Sequence, residues 1–534
     1  MRQIGFKNFR KFENFPSIEL APITVLVGEN NAGKSTVVKG MLALSDFFNK
    51  LETDRLLFSG ETSSKSLKKR KEAIVSNLKN QKFYFNTSYL AHIGTFKRAL
   101  YYKASSNIIT FNTSIDHEDI TIEVYGDRNN EEIVNGFISK ILIDYRMLGM
   151  HIGFDLQSDK ATVLFNPINI SKDNLDFLPT NIRGKAQTFL KSIPHAFEIS
   201  FEISNYYRKY VPDLLFLLKA SVEIAFSATI ELEKTIKHIG SEVLLDIKPI
   251  PNLSNETISF LRQFAQLMCP AYKGEGWMFI LPDSDYIKKY IRIEYLYAHA
   301  VTQTVLYSAK DTNDYLSMTI HEFASKTKSN EDYRKKFITH WMEEFNIGKD
   351  YDIKSIGGEA HIVKIKNNDG EEVNLADKGM GSIQLMVLLF RLAIALPKMP
   401  TKSSSRNRLK VNMGDSRIII IEEPEQNLHP MLQSKLANLF YELNTDYGFR
   451  FLIETHSEYL IRKTQVIVGE KFKNSNSDEF EKGNPFKVYY FPQSGIPYDM
   501  EYTNKGGFKQ KFGDGFFNEA SRLNSSVIKN KLEE

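Results

Sequence analysis

One short glycine-bounded stretch constrains the fold of this chain more than any other feature. Residues 28–36 read GENNAGKST and match the spacing G-x-x-x-x-G-K-S. The apolar run ITVLV at 23–27 precedes them and VVKGMLAL at 37–44 follows, which predicts a strand, a tight loop and a helix in that order. Such a loop turns backbone amides and the positive end of a helix dipole towards a polyphosphate. The sequence therefore predicts a nucleotide-binding site on an α/β scaffold.

The side chains of this loop have separate predicted tasks. Gly28 and Gly33 allow a sharp turn and a close approach of the backbone to phosphate. Lys34 is expected to reach the β- and γ-phosphates, and the Ser35 hydroxyl to complete the shell of a Mg²⁺ ion. The residues predicted to contact the nucleotide here are Gly28, Glu29, Asn30, Asn31, Ala32, Gly33, Lys34, Ser35 and Thr36.

Composition limits the class of protein. A chain of 534 residues with 42% hydrophobic and 12% aromatic residues can fill several cores, and two to four domains are expected. The net charge of +4 argues against a strongly basic nucleic-acid coat. The basic run KKRK at 68–71 favours a solvated helical face over a DNA-contacting edge, but the question of nucleic-acid contact stays open.

The expected compartment is the cytoplasm. The single cysteine, Cys269, excludes an internal disulfide and a cysteine zinc site. The first residues lack the apolar segment of a signal peptide, and no run of about 18 apolar residues is present. We therefore expect no contact with a membrane.

A second group of polar residues follows two apolar runs near the C-terminus. Residues 417–425 read RIIIIEEPE, which predicts a strand buried on both faces, as in a parallel sheet. Side chains alternate along a strand, so Glu422 and Glu423 must differ in role: one orients Mg²⁺ and the other holds the attacking water. Residues 449–457, FRFLIETHS, predict a neighbouring strand whose His456 can contact the γ-phosphate.

The order of these motifs resembles a known family. Residues 28–36, a long insertion, LADKGMGSIQ at 375–384, the 418–425 run and 455–457 are similar to the ABC-type ATPase heads of the branch that includes the overcoming-lysogenization-defect (OLD) ATPases and SMC-like repair proteins. The opening IGFKNFRKF also resembles the first strands of that branch.

The resemblance implies an α/β fold. It is an ABC-ATPase-like P-loop head with a mixed sheet and flanking helices, a large, mostly helical insertion and a small C-terminal element. The predicted domains are an N-terminal ATPase lobe at 1–125, the insertion at 126–345, a C-terminal ATPase lobe at 346–465 and the C-terminal element at 466–534. Short strands are expected to about residue 167, with helical patterns from about 170 onwards.

The resemblance also implies roles for individual residues. Lys34 corresponds to the Walker A lysine, Glu423 to the catalytic glutamate, Glu422 and Ser35 to the metal ligands, and His456 to the switch histidine. The signature motif that closes on the nucleotide of a second subunit corresponds to Gly379, Gly381, Ser382 and Gln384. Glu422 stands where the family has an aspartate, and a glycine stands where the signature has a serine. Both departures are expected to slow hydrolysis.

The resemblance further implies partners. The tail at 487–520 is similar to an element in a subgroup that includes the PtuA-type ATPases of Septu and retron antiphage defence systems. Members of that subgroup work beside a separately encoded nuclease. The expected protein is thus an ATP- and Mg²⁺-dependent ATPase that forms a head-to-tail homodimer or higher homo-oligomer and regulates a nuclease effector. No TOPRIM domain and no intrinsic nuclease activity are expected.

Two alternatives stay open from the sequence. The first is a DNA-repair ATPase of the SMC or RecF type, against which the absence of sustained heptads counts. The second is a slow, nucleotide-clamped scaffold that holds a toxin or a nucleic acid.

Overall fold

The structure is a computed structural model, and it describes the chain in a series of ranges. These are residues 1–58, 82–86, 92–115, 118–145, 150–158, 160–165, 197–202, 293–296, 304–308, 310–311, 314–326, 332–397 and 417–532. The basic run at 68–71 and most of the predicted helical insertion lie outside these ranges.

The described residues form strands and helices in the following order. The strands are β1 (Gln3–Phe9), β2 (Phe12–Glu19), β3 (Ile23–Gly28), β4 (Lys82–Tyr84), β5 (Ile108–Ile115), β6 (Glu118–Tyr125), β7 (Asn135–Tyr145), β8 (Met150–Asp155), β9 (Lys160–Phe165), β10 (Phe197–Glu202), β11 (Ile293–Leu296), β12 (Tyr307–Ser308), β13 (Asp350–Ile356), β14 (Ala360–Lys366), β15 (Glu372–Asn374), β16 (Ile418–Glu422), β17 (Arg450–Glu454), β18 (Phe486–Phe491) and β19 (Tyr498–Asp499). The helices are α1 (Lys34–Phe58), α2 (Phe96–Ala99), α3 (Tyr315–Lys326), α4 (Asp332–Glu344), α5 (Met380–Ala395), α6 (Pro430–Tyr447), α7 (Glu458–Phe472), α8 (Ser477–Gly483) and α9 (Glu519–Leu532).

The chain divides into two compact units. The first unit comprises Met1–Glu19 and Ser35–Arg292, and the second comprises Leu20–Lys34 and Ile293–Glu534. The chain therefore enters the second unit for β3 and the phosphate loop, returns to the first unit, and later completes the second.

The first unit is built on an antiparallel sheet. Its strands follow the order β10-β9-β8-β7-β6-β5-β1-β2, and β4 pairs with β7. Phenylalanine rings fill one face: the Phe6 ring lies 5.1 Å from that of Phe9 and 5.8 Å from that of Phe111. Helix α1 lies against this cluster at Gly40, where a Cβ would come within 2.4 Å of the Phe6 ring. The strands predicted around residues 83–85, 108–111 and 120–123 are confirmed.

The described start of the predicted insertion consists of strands, in agreement with the short strands expected to about residue 167, whereas β10 lies where helical patterns are expected. Strands β7, β8 and β9 occupy most of residues 135–165, and β10 occupies Phe197–Glu202. The physical reason is visible in β7, where the isoleucines at 141 and 143 are buried between paired neighbours with a period of two. Helical structure within the described part of the insertion begins with α3, at Tyr315.

The second unit contains a mixed sheet. Its strand order is β11-β16-β17-β3-β18-β19, in which the first five strands are parallel and β19 is antiparallel to β18. Strand β16 is buried on both faces, as its run of isoleucines predicts. Helices flank this sheet, and their apolar residues join one core with it. The predicted α/β class, a mixed sheet with flanking helices, is confirmed.

Two further elements of the second unit bear on the predictions. The hairpin β14–β15 forms around the turn at 367–370, and a helix predicted from the spacing of Phe337, Ile338 and Trp341 is α4. Strand β18, in the predicted C-terminal element, pairs with β3 along its whole length. Residues beyond 466 therefore contribute to the sheet that carries the phosphate loop. None of the described helices is long and apolar enough to cross a membrane.

Candidate functional site

The phosphate loop has the geometry that its glycines predict. Strand β3 is buried throughout and ends at Gly28, whose φ is 139°; Gly33 has a φ of 108° and Asn31 one of 57°. A Cβ on Gly28 would lie 2.1 Å from the Phe491 carbonyl oxygen of β18. Any other residue at 28 would therefore push the two strands apart, since both φ and space require glycine.

Lys34 lies inside this loop. Its side chain is only 3% exposed, and its ammonium donates to the carbonyl oxygens of Gly28 at 3.1 Å and Glu29 at 2.9 Å. Burial lowers the pKa of Lys34, while the nearby carboxylates of Glu454, Glu423 and Glu425 act in the opposite direction. The lysine of the early loop thus shares one electrostatic environment with carboxylates about 390 to 420 positions later in the chain.

The parallel pairing of β16, β17 and β3 explains why Lys34 lies near these carboxylates. Strand β17 lies between β16 and β3, and its Glu454 aligns with Glu422 on one side and with Leu26 on the other. The carboxyl ends of these strands therefore share one edge of the sheet, where ligands bind in open α/β folds.

Glu422 ends β16 and is partly buried. One of its carboxylate oxygens accepts a hydrogen bond of 2.7 Å from the Tyr295 hydroxyl, on the neighbouring strand β11. Tyr295 is a residue that sequence reasoning missed, because it lies 127 positions before Glu422 and belongs to no motif.

Glu423 follows the strand with a left-handed backbone. Its φ is 45°, and its amide donates to the Glu454 carbonyl oxygen at 2.7 Å. One carboxylate oxygen accepts a hydrogen bond from the Gln426 side chain, and the other lies 3.8 Å from Nε2 of His456. Backbone strain of this kind is sustained only where the surroundings fix it, which here aims the carboxylate at the imidazole.

The surroundings of His456 favour a neutral imidazole. Burial lowers its pKa, the Lys34 ammonium lowers it further, and the Glu423 carboxylate raises it. The pKa of His456 is lower in the folded protein than in the unfolded chain, where a histidine has a pKa of about 6.5. The free energy of unfolding therefore keeps its full value at high pH and decreases as the pH falls below about 6.5. A neutral ring can donate one hydrogen bond to a phosphate oxygen.

These opposing charges yield a prediction. In NMR titrations of the histidine Cε1 proton, His456 should titrate below about 6.5. Glu423→Gln should lower the midpoint further, and Lys34→Ala should raise it, since each removes one of the two neighbouring charges. The His456→Gln spectrum assigns the signal. Equal midpoints in all three proteins would contradict the described grouping.

The sequence-based site also omitted Glu425. It is 8% exposed, its Oε1 accepts a hydrogen bond of 2.6 Å from the His456 amide, and its Oε2 has no hydrogen-bond partner among the described residues. Burial raises the pKa of Glu425, against the effect of the His456 amide. The sequence feature that could have indicated Glu425 is its place as the third glutamate of the run EEPE at 422–425.

The signature-like residues lie at the start of helix α5. Gly379 caps this helix and is exposed, and the Ser382 amide donates to its carbonyl oxygen at 2.9 Å. A Cβ on Gly381 would lie 2.5 Å from the Asn427 carbonyl oxygen. The Asn427 side chain also donates to Gln384 at 3.2 Å. The start of α5 therefore lies on the loop that follows Glu423 in the same chain.

Ser35 and Thr36 occupy the first turn of α1 and belong to the first unit. Ser35 is exposed, whereas Thr36 is only 6% exposed. Their contacts with metal and nucleotide stay predictions.

The donor chemistry fits a nucleotide-bound Mg²⁺. Within the described residues, no group of three or more histidine, cysteine, aspartate or glutamate side chains is arranged to hold a metal by itself. Mg²⁺ in nucleotide sites needs only one or two protein oxygens, with phosphate oxygens and waters completing its shell. The partly buried Glu422 carboxylate supplies such an oxygen.

Comparison with known proteins adds a family and several distant likenesses. The family described as "AAA ATPase domain" matches residues 1–461. The lipoprotein-releasing system ATP-binding protein LolD of Buchnera aphidicola is 30% identical over 146 residues, which are 26% of this chain and 56% of that protein. The chain thus spans little more than half the length of this relative.

Two solved structures are distant likenesses. The SMC head domain of Thermotoga maritima has a TM-score of 0.30 at 8% identity, covering 94% of this chain and all of that one. A Pyrococcus furiosus Smc head domain bound to the C-terminal domain of ScpA has a TM-score of 0.30 at 8% identity, covering 99% of both chains.

Proposed function

The chain belongs to the AAA ATPase domain family, and we propose that it binds ATP with Mg²⁺ at the phosphate loop and hydrolyses the γ-phosphoryl bond. The observation that carries this proposal is the placement of Lys34. Its ammonium lies in the phosphate loop, in the field of Glu454, Glu423 and Glu425, at one edge of a parallel sheet. A cation within a glycine-bounded loop, next to strand-end carboxylates, supplies the parts that phosphoryl transfer needs.

Each side chain has a proposed step. Lys34 exchanges its two carbonyl partners for oxygens of the β- and γ-phosphates. Glu423 orients a water molecule and accepts its proton while the water oxygen bonds to the γ-phosphorus and the bond to the β-γ bridging oxygen breaks. The neutral His456 donates a hydrogen bond to the γ-phosphate. Glu422 and Ser35 would hold Mg²⁺, and the bound ion would neutralise charge on the phosphate oxygens.

We propose in addition that two or more copies associate. In a head-to-tail dimer, Gly379, Gly381, Ser382 and Gln384 of each copy face the nucleotide of the other. Gly379 is exposed, and a Cβ added to it would meet no atom within 4 Å, which supports an open approach to the start of α5.

The proposed biological role is the regulation of a partner effector, a nuclease, in bacterial antiphage defence in the cytoplasm. The support is the resemblance of the motifs and the tail to PtuA-type ATPases of Septu and retron systems. Copurification of the chain with the product of a neighbouring nuclease gene tests this role. A chain that copurifies with no nuclease, whether or not ATP is present, would contradict it.

Turnover is tested first. Purified protein with ATP and Mg²⁺ should release phosphate. Glu423→Gln should release it at least about 100-fold more slowly, because general-base catalysis contributes about 10²–10⁴-fold. Steady-state phosphate release measures both rates. If the two proteins release phosphate at the same background rate, the assignment as an enzyme is wrong.

The engaged carboxylates favour a second candidate, a slow nucleotide-clamped scaffold. Glu422 accepts from Tyr295, and Glu423 accepts from Gln426, so both must change or share partners during a reaction. Tight ATP binding with negligible phosphate release from the wild type would select this candidate.

A further inference from the structure

The loop after β16 is joined to the segment after β17 at several points. We name residues 423–429 the acidic loop and residues 455–457 the switch segment. The Glu423 amide donates to the carbonyl oxygen of Glu454, directly before the switch segment, at 2.7 Å. The Glu425 carboxyl accepts from the His456 amide at 2.6 Å. Of these two hydrogen bonds, only the second uses a side chain of the acidic loop to hold the backbone of His456.

A third connection between the switch segment and the acidic loop is indirect. The Ser457 hydroxyl donates to the side-chain oxygen of Gln433 at 2.6 Å, and the side-chain nitrogen of Gln433 donates to the Leu428 carbonyl oxygen at 3.0 Å. Ser457 also caps helix α7 through the Leu460 amide at 3.1 Å. The end of the switch segment is therefore fixed independently of Glu425, whereas the His456 amide is held by the Glu425 carboxyl.

Stability alone does not account for Glu425. A buried carboxyl with one oxygen that lacks a hydrogen-bond partner among the described residues carries a desolvation penalty. An apolar side chain at this position would avoid that penalty. One hydrogen bond of the carboxyl comes from the amide of His456, whose imidazole lies 3.8 Å from Glu423.

From this geometry we propose that Glu425 is a positioning residue: its carboxyl holds the His456 backbone so that the imidazole stays beside Glu423 and the incoming γ-phosphate. The proposal rests on the ATPase function proposed above. Burial and the raised pKa of Glu425 support a neutral carboxyl, which accepts one hydrogen bond as a glutamine amide also does.

The same loop extends the effect of Glu425 towards α5. Asn427, two residues further on, donates to Gln384 and approaches Gly381 through its carbonyl oxygen. A displacement of the acidic loop at Glu425 therefore reaches the signature-like residues through direct contacts.

Two substitutions separate positioning from charge. Glu425→Gln keeps an acceptor oxygen at nearly the same place and should retain kcat within about threefold of the wild type. Glu425→Ala removes the acceptor and should lower kcat about 10- to 100-fold with little change in KM for ATP, because a small misplacement of a reacting group costs up to about 10²-fold. Glu470→Ala, which removes an exposed glutamate of the same unit, is the matched control.

Hydrogen exchange tests the geometry without turnover. In nucleotide-free protein, the His456 amide should exchange faster in Glu425→Ala than in the wild type, and at the wild-type rate in Glu425→Gln. If the alanine variant does not fold, Glu425→Asp replaces it, because its carboxyl is one methylene too short to hold the amide at the same distance.

The outcomes are distinguishable. Unchanged kcat and unchanged His456 exchange in Glu425→Ala or Glu425→Asp would overturn the proposal, as would a loss of kcat in Glu425→Gln equal to that in Glu425→Ala. A wild type without Glu423-dependent phosphate release would refute the proposed ATPase instead. The exchange measurement would then decide by itself whether Glu425 positions His456.

Discussion

Lys34→Ala is expected to abolish ATP binding at concentrations that saturate the wild type. The ammonium makes two hydrogen bonds inside the loop and is positioned to make equivalent bonds to phosphate oxygens. Hydrogen bonds to charged groups contribute about 1.5–3 kcal/mol each, so the loss of two weakens binding by about 100-fold or more.

A second effect acts in the same direction. Removal of Lys34 leaves the carboxylates of Glu454 and Glu423 without the cation that now lies near them. An incoming triphosphate would then meet negative charge that is no longer compensated, which weakens binding further. The affinity of Lys34→Ala should therefore fall by more than the lost hydrogen bonds alone account for.

Calorimetric titration with ATP and Mg²⁺ measures this effect. Lys482→Ala is the control, since it removes one exposed positive charge from the same unit at a distance from the loop in sequence. Its affinity should equal that of the wild type. If Lys34→Ala binds ATP within about threefold of the wild type while remaining folded, Lys34 does not contact the phosphates.

Local patterns predicted the parts of the fold that a short window determines. The glycine spacing gave the turn at 28–33, and four consecutive isoleucines gave a strand covered on both faces. The edge at which the strands end then follows from parallel pairing, which brings Lys34 and Glu423 together.

Features that depend on distant pairing were beyond the reach of such patterns. Tyr295 is part of the site only because β11 pairs with β16, and no local motif indicates that pairing. Strand β18 looked like part of a separate tail, yet its alignment with β3 sets the space at Gly28. The left-handed backbone of Glu423 is likewise fixed by its bond to Glu454 of another strand.

Glu423→Gln is expected to bind ATP and retain it. The amide has nearly the shape of the carboxylate, so the hydrogen bond from Gln426 can be replaced and the site should keep its geometry. A glutamine cannot accept the proton of the attacking water, so phosphate release should fall about 100-fold or more. It also removes one negative charge facing the triphosphate, which should strengthen rather than weaken ATP binding.

Retention of ATP has a consequence for association. If the start of α5 closes on the nucleotide of a second copy, a nucleotide that is not hydrolysed keeps the two copies together, by mass action on the bound state. Light scattering after size exclusion should show Glu423→Gln as a dimer or larger assembly with ATP and Mg²⁺, but not without nucleotide. The wild type should dissociate as it consumes ATP.

Glu470→Gln provides the comparison, because it makes the same chemical change at an exposed position of α7. It should hydrolyse ATP and associate as the wild type does. A Glu423→Gln variant that neither prolongs ATP occupancy nor strengthens association would show that another group holds the attacking water. Glu425 would not be that group if its glutamine variant remains active, because a glutamine cannot act as a base either.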